Sequence, residues 1–220
     1  MPLDPATMAT AAPQPGTGDA ALRFDLRLIA DMIAPHSRVL DIGCGDGALL
    51  AYLAQAKGVD GRGIEISQDG VNACVGHGLS VIQGDADTDL ANYPSDAFDY
   101  VVLSKTLQAT RYPRTVLEDL VRIGRHAVVS FVNFGHWRAR LALLLRGRMP
   151  VTGGSGSGWY DSPDIHLCTI LDFVELAGAL GLTIEKGLSL GRDRNVRVIR
   201  SAGLLENLRG EQAVFLLRRG

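Results

Sequence analysis

Apolar residues recur along the first two thirds of the chain in two alternating rhythms. Leu22, Leu26, Ile29 and Ile33 keep the spacing of one helix face, and Pro35 closes the run. Arg38-Val39-Leu40-Asp41-Ile42 is a short apolar block that reads as a strand. Residues 48–57 return to helical spacing, with Leu49, Leu50 and Leu53 on the apolar side. Residues 61–65 predict a second strand, and Ser67 suits the cap of a helix running to about residue 77. Strands follow at 79–83 and 98–103, a helix from Pro113 to about residue 125, and a fifth strand at 127–132. The Val and Leu content of the fourth strand suits burial on both faces. Strand and helix alternating over short connections predict a parallel sheet covered by helices on both sides.

The rhythm breaks at residues 133–168. A helix is expected over 136–146, and the Gly/Ser tract 153–158 reads as a flexible loop. Beyond it lie a helix at 169–180 and strands at 182–190 and 213–218. The expected organisation is one domain over residues 20–220 with an insertion at about 133–168. Residues 1–19 lack a basic start and an apolar core, so they read as a disordered leader rather than an export signal.

Composition narrows the class. The chain has 220 residues, 46% apolar and 21% charged, as expected of one globular domain. No run of about 18 apolar residues occurs, so no membrane partner is expected. Three scattered cysteines (Cys44, Cys74, Cys168) without zinc-ligand spacing fit a reduced, cytoplasmic setting. The net charge of −2 argues against a dedicated nucleic-acid binder. That charge is split: 5 Lys/Arg against 14 Asp/Glu in residues 1–100, but 17 against 10 in residues 101–220. Acidic turn residues in the first half explain the split, and so do two faces meeting different partners.

The most informative segment is Asp41-Ile42-Gly43-Cys44-Gly45-Asp46-Gly47, where a strand turns into a helix. Glycines permit the tight turn and a close ligand approach. Glu65 ends the second strand, where a carboxylate accepts both ribose hydroxyls. Asp85, at the end of the third, is placed to accept from an adenine amino group. Gly43-x-Gly45-x-x-Ala48 fits a dinucleotide turn as well, and a plain packing turn. Asp41 separates these readings. A carboxylate there opposes a pyrophosphate but suits S-adenosylmethionine (SAM), which carries a sulfonium, an ammonium and no phosphate.

This constellation resembles the class I SAM-dependent methyltransferases. The resemblance implies a Rossmann-like α/β fold with a seven-stranded, mostly parallel sheet. It implies SAM or S-adenosylhomocysteine contacts at Asp41, Gly43, Cys44, Gly45, Glu65 and Asp85, with Ile66 and Ala86 flanking the adenine and Ser104 beside the ligand. Cys44 reads as a small turn residue rather than a nucleophile. The place after the fourth strand, Ser104-Lys105-Thr106-Leu107-Gln108, lacks the Asn/Asp-Pro-Pro-Tyr motif of amino methyltransferases, although Ser104 and Gln108 can orient a ligand. His136, Tyr160, Asp161 and His166 are the candidate catalytic groups.

Longer strings carry a narrower resemblance. Val129-Ser130-Phe131-x-Asn133-Phe134-Gly135-His136-Trp137-Arg138, Leu145-Arg146-Gly147-Arg148-Met149-Pro150 and Trp159-Tyr160-Asp161-Ser162-Pro163-Asp164-Ile165-His166-Leu167-Cys168 look like the methionine biosynthesis protein MetW family. That resemblance implies an accessory role beside a homoserine O-acyltransferase (MetX). A catalytic methyltransferase of a small molecule is the alternative. Trp137, Leu141, Leu144 and Leu145 form an apolar stripe beside Arg138. The stripe fits either a helix packed on the sheet or a contact surface for the partner.

Overall fold

The computed structural model describes residues 22–150, 159–199 and 203–220. The expected leader, 1–19, and the Gly/Ser tract, 153–158, lie outside the described residues. The elements run in the order α1 (Phe24–Asp31), β1 (Arg38–Ile42), α2 (Ala48–Lys57), β2 (Asp60–Glu65), α3 (Gln68–Gly76), β3 (Ser80–Gln83) and β4 (Phe98–Ser104). They continue with α4 (Pro113–Ile123), β5 (Gly124–Val132), α5 (Trp137–Arg146), α6 (Ile170–Ala179), β6 (Leu182–Leu190), β7 (Val196–Val198), α7 (Leu204–Arg209) and β8 (Gln212–Arg219).

Successive strand residues point to opposite faces, and in the central strands both sets are apolar. Val39, Val102, Val128 and Val214 join one core, closed by Leu26, Ile29 and Ile33 around α1 and by Leu49 and Leu53 of α2. Their neighbours Leu40, Val101, Val129 and Phe215 join the other, closed by Leu117 and Leu120 of α4 and Phe173 of α6. Phe173 lies 4.9 Å from Phe131 and 4.8 Å from Phe215, ring centre to ring centre. Pro at the start of α4 and Ser67 ahead of α3, accepting from the Gly70 N–H at 3.4 Å, set helix starts where the sequence placed them.

The sheet order is β3-β2-β1-β4-β5-β8-β6-β7. The pairs from β3 through β5 are parallel, whereas β8 runs antiparallel to both β5 and β6. Among the described residues the sheet therefore has eight strands rather than the expected seven. The additional one, β7, pairs only with β6, matching Leu188 with Val198 and Leu190 with Val196. Its three residues offer two apolar positions, too few to stand out as a strand, and the edge location asks for no more. The strand order reverses between β1 and β4, which opens a crevice at the carboxyl ends of the strands.

The insertion differs from a helix packed on the sheet. Among the residues of α5 only Ala139 is buried. Trp137, Leu141, Leu144 and Leu145 are exposed, Leu144 by 80% and Leu145 by 72%. No helix among the described residues is long and apolar enough to cross a membrane.

Candidate cofactor site

β1 ends at the crevice, and the turn after it is shaped by glycine. Gly43 and Gly45 have φ of 71° and 59°, the left-handed region that side chains resist. A Cβ on Gly43 would also lie 2.5 Å from Thr106 Oγ1, whereas one on Gly45 would meet nothing within 4 Å. The first glycine thus serves packing, and the second leaves the backbone open to a ligand. Gly43 and Cys44 donate their N–H groups to Ile64 O at 2.8 and 3.2 Å, tying the turn to β2.

Glu65 closes the same loop from the β2 side. Its Oε2 accepts the Gly45 N–H at 2.8 Å and its Oε1 accepts the Ser67 N–H at 2.9 Å. A carboxylate has about four acceptor positions. Two backbone donors therefore fix its orientation and leave capacity for two hydroxyls.

Asp41 is 2% exposed, and its Oδ1 is a buried oxygen without a hydrogen-bond partner among the described residues. Burial, and then the nearby Glu65 carboxylate, push the Asp41 carboxyl up to about 7. An orphaned acceptor of this kind costs stability until a donor, best a cation, reaches it. It borders a cavity of about 170 Å³ lined by Gly43, Cys44, Gly45, Ser104 and Lys105 as well as Asp41. This donor and acceptor set fits the aminoacyl end of SAM.

The structure adds residues to this cavity that sequence reasoning missed. Lys105 has φ of 58°, a strained conformation for a side-chain-bearing residue. Its backbone N–H donates to Ser130 O at 2.9 Å, and its ammonium lies 2.7 Å from Asp25 Oδ2 on α1. Arg23 reaches the same carboxylate at 3.1 Å. Burial pushes the Asp25 carboxyl up, but the Lys105 and Arg23 cations outweigh it and the net shift is downward. The position of Lys105 directly after a strand end was the available signal. Nothing in the sequence linked it to Asp25, 80 residues away.

The remaining expected contacts are spread along the crevice. The Cys44 thiol packs in a small cluster with Leu50 and Cys74, 3.9 Å from the Cys74 sulfur. Burial also holds that thiol far above its ordinary range, as befits an inert turn residue. Ser104 Oγ is 3.3 Å from Ser130 Oγ. Ile66 is 65% exposed just past β2, and its carbonyl accepts from the Gln83 amide at 3.2 Å. Asp85 Oδ1 accepts the Asp87 N–H at 2.9 Å, and Ala86 packs against the larger core.

None of the four candidate catalytic groups lines the Asp41 cavity. His136 caps α5: its Nδ1 accepts the Arg138 N–H at 3.3 Å, and its Nε2 lies 4.0 Å from Glu211. Burial pushes the His136 imidazole down, with Glu211 opposing. His166 Nε2 sits 3.2 Å from Arg111 O, while Tyr160 and Asp161 are exposed. Gln108 is not a ligand-orienting group as expected. Its side-chain amide is buried and bonds both the N–H and the carbonyl of Val132, each at 3.1 Å.

Comparison with known proteins places this geometry. The model of the family described as methionine biosynthesis protein MetW matches residues 23–217. The bifunctional methionine biosynthesis protein MetXA/MetW of Rhodopirellula baltica is 33% identical over 189 residues, covering 82% of this chain and 30% of that protein. The chain thus spans less than a third of that relative's length. A solved SAM-dependent methyltransferase from Thermotoga maritima superposes with a TM-score of 0.64 at 17% identity, covering 89% of this chain and 88% of its own. Another from Archaeoglobus fulgidus gives 0.64 at 18% identity, with 89% and 91% covered. These structures share the class I methyltransferase fold with the chain. By the family match and the identity to a MetXA/MetW protein, the chain belongs to the MetW family of methionine biosynthesis proteins.

Proposed function

We propose that this protein binds SAM and acts beside a homoserine O-acyltransferase, MetX, to support homoserine acylation. The buried, unpartnered Asp41 oxygen beside the open Gly45 backbone carries the cofactor half of this reading. Asp41 would receive the cationic aminoacyl end, and the oriented Glu65 carboxylate the ribose hydroxyls. Asp85, with Ile66 and Ala86 beside it, would take the adenine. Bound SAM supplies an electrophilic methyl group on a sulfonium, or, in an accessory protein, simply a ligand whose occupancy changes the complex. SAM is an end product of methionine synthesis, so its occupancy here would report supply to the first committed acylation.

The partner half is supported by the relative that carries both names, MetXA and MetW, in one chain. It is also supported by α5, which turns Trp137, Leu141, Leu144 and Leu145 outward beside Arg138. An exposed tryptophan next to arginine, on an apolar face, has the residue types enriched at interface cores. The His136 and His166 rings are engaged outside the Asp41 cavity, which favours the accessory role over methyl transfer.

The test is co-expression with the acyltransferase, co-purification, and acylation assayed with and without SAM. A stable complex whose acylation rate responds to SAM is expected. An acyltransferase that neither co-purifies nor changes rate overturns the partnership, and a complex indifferent to SAM overturns the sensing role.

A further inference from the structure

The basic surplus of the second half of the chain converges on one place away from Asp41. A cavity of about 810 Å³ lies between the end of β5, α5, the segment after it and the start of β8. Arg138, Arg146, Arg148 and Arg192 line it, and Glu211 is the one carboxylate in its wall among the described residues. A neighbouring cavity of about 330 Å³ shares Arg138, Arg192 and Glu211, and adds Arg197, Arg209 and one further carboxylate, Asp193. Among the described residues, none of these six arginines pairs with a carboxylate within 4 Å. Arg23, Arg122 and Arg218 elsewhere are all paired. Arg138 instead lies over the Trp137 ring, 5.2 Å from its centre.

Four unpaired guanidinium groups around one cavity repel each other unless an anion enters. Guanidinium presents a planar fork that matches phosphate oxygens two at a time. Val132, Ala139, Ala142, Met149 and Pro150 form an apolar part of the wall, beside the polar Asn133, His136 and Gln212. The volume falls in the ordinary range for small-molecule sites, roughly 300–1,000 Å³. We propose that this cavity binds a phosphate-bearing small molecule, its phosphates on the arginines and its uncharged part on the apolar wall, as in a nucleoside diphosphate. The site is separate from the Asp41 cavity, with which it shares no lining residue.

The experiment is calorimetric titration of the full chain with ADP, tripolyphosphate and adenosine, in the presence of S-adenosylhomocysteine to occupy the Asp41 crevice. ADP should bind with submillimolar affinity, tripolyphosphate more weakly, and adenosine not at all. The double variant Arg146→Gln/Arg192→Gln should lose about tenfold or more in ADP affinity. Its S-adenosylhomocysteine affinity and melting temperature should stay unchanged, because both side chains lie at the surface. Arg148→Gln, also exposed, provides an independent reading of the same loss. Absence of ADP binding at millimolar concentration, or equal binding by the variants, overturns the proposal. Tripolyphosphate binding as tightly as ADP overturns the part assigned to the apolar wall.

Discussion

Asp41 sets a conflict between stability and binding. Its carboxyl sits near 7 against an ordinary value of 3.8 because it is buried and faces Glu65. A raised acid binds its proton more tightly in the folded state. The stability tied to that proton is full below 3.8 and is lost as pH rises through about 7. Asp41→Asn removes this penalty, so its melting temperature should exceed that of the parent by about 5 °C at pH 8. The gap should narrow in acid, and calorimetric scans across pH check it. The same ionisation favours a cationic ligand. SAM affinity should therefore be level above about 7 and fall by about tenfold per pH unit below it. A pH-independent affinity would remove Asp41 from the site. Glu65→Ala should weaken SAM binding by roughly 1.5–3 kcal/mol, about ten- to a hundredfold, measured by titration. These residues were legible because each stands at a strand end beside a turn signal. Lys105 and Asp25 were not, because their ion pair depends on α1 folding back across the crevice.

The insertion owes its shape to contacts between elements. Asn133, one residue past β5 and buried, uses its whole side-chain amide. Its Nδ2 donates to Asn207 O and Gly210 O, both at 2.7 Å, and its Oδ1 accepts from Gly135 N–H at 2.9 Å and Ile170 N–H at 3.2 Å. One residue thus joins β5, the entry to α5, the start of α6 and the end of α7. Asn133→Ala leaves several buried groups unsatisfied and should cost about 3 kcal/mol in urea unfolding. In the folded protein SAM affinity should stay within about twofold, because the hub lies outside the Asp41 cavity. The string around Asn133 signalled family membership without revealing this bracket, whose partners lie some 70 residues away. Strand and helix periods were legible wherever a core enforced them, as at Val101 and Val102 on opposite faces of β4. They failed at β7 and α7. The first is an edge strand of three residues, and the second exposes Leu204 and Leu205 while burying Asn207. The α5 stripe had the right period for a packed helix, yet Trp137, Leu141, Leu144 and Leu145 are exposed among the described residues. Trp137→Ala with Leu144→Ala should abolish co-purification with the acyltransferase and leave the melting temperature nearly unchanged, since both side chains face outward.

Across the whole molecule, chemistry and surface divide between the two halves of the sheet. The strands β1 to β3 present acidic groups at or just past their carboxyl ends, Asp41, Glu65 and Asp85, suited to a cation. The β5, β6 and β8 side presents the arginines and the exposed α5 face. A methyltransferase needs an acceptor atom in line with the methyl group and, for oxygen or nitrogen, a base to take its proton. Here the nearest polar groups after β4 are Ser104, held to Ser130, and Lys105, held by Asp25. His136 would have to give up its cap on α5, and His166 its contact with Arg111, before either served as a base. Little or no methyl transfer is therefore expected from the isolated protein or from its complex with the acyltransferase. Incubation with methyl-labelled SAM and a metabolite extract checks this directly. Label entering one small molecule, and lost in His136→Ala or His166→Ala, would make the chain an enzyme. A lid movement would then have to bring that imidazole to the crevice. Label remaining in SAM, while acylation by the partner changes with SAM concentration, is the outcome expected of the proposed accessory role.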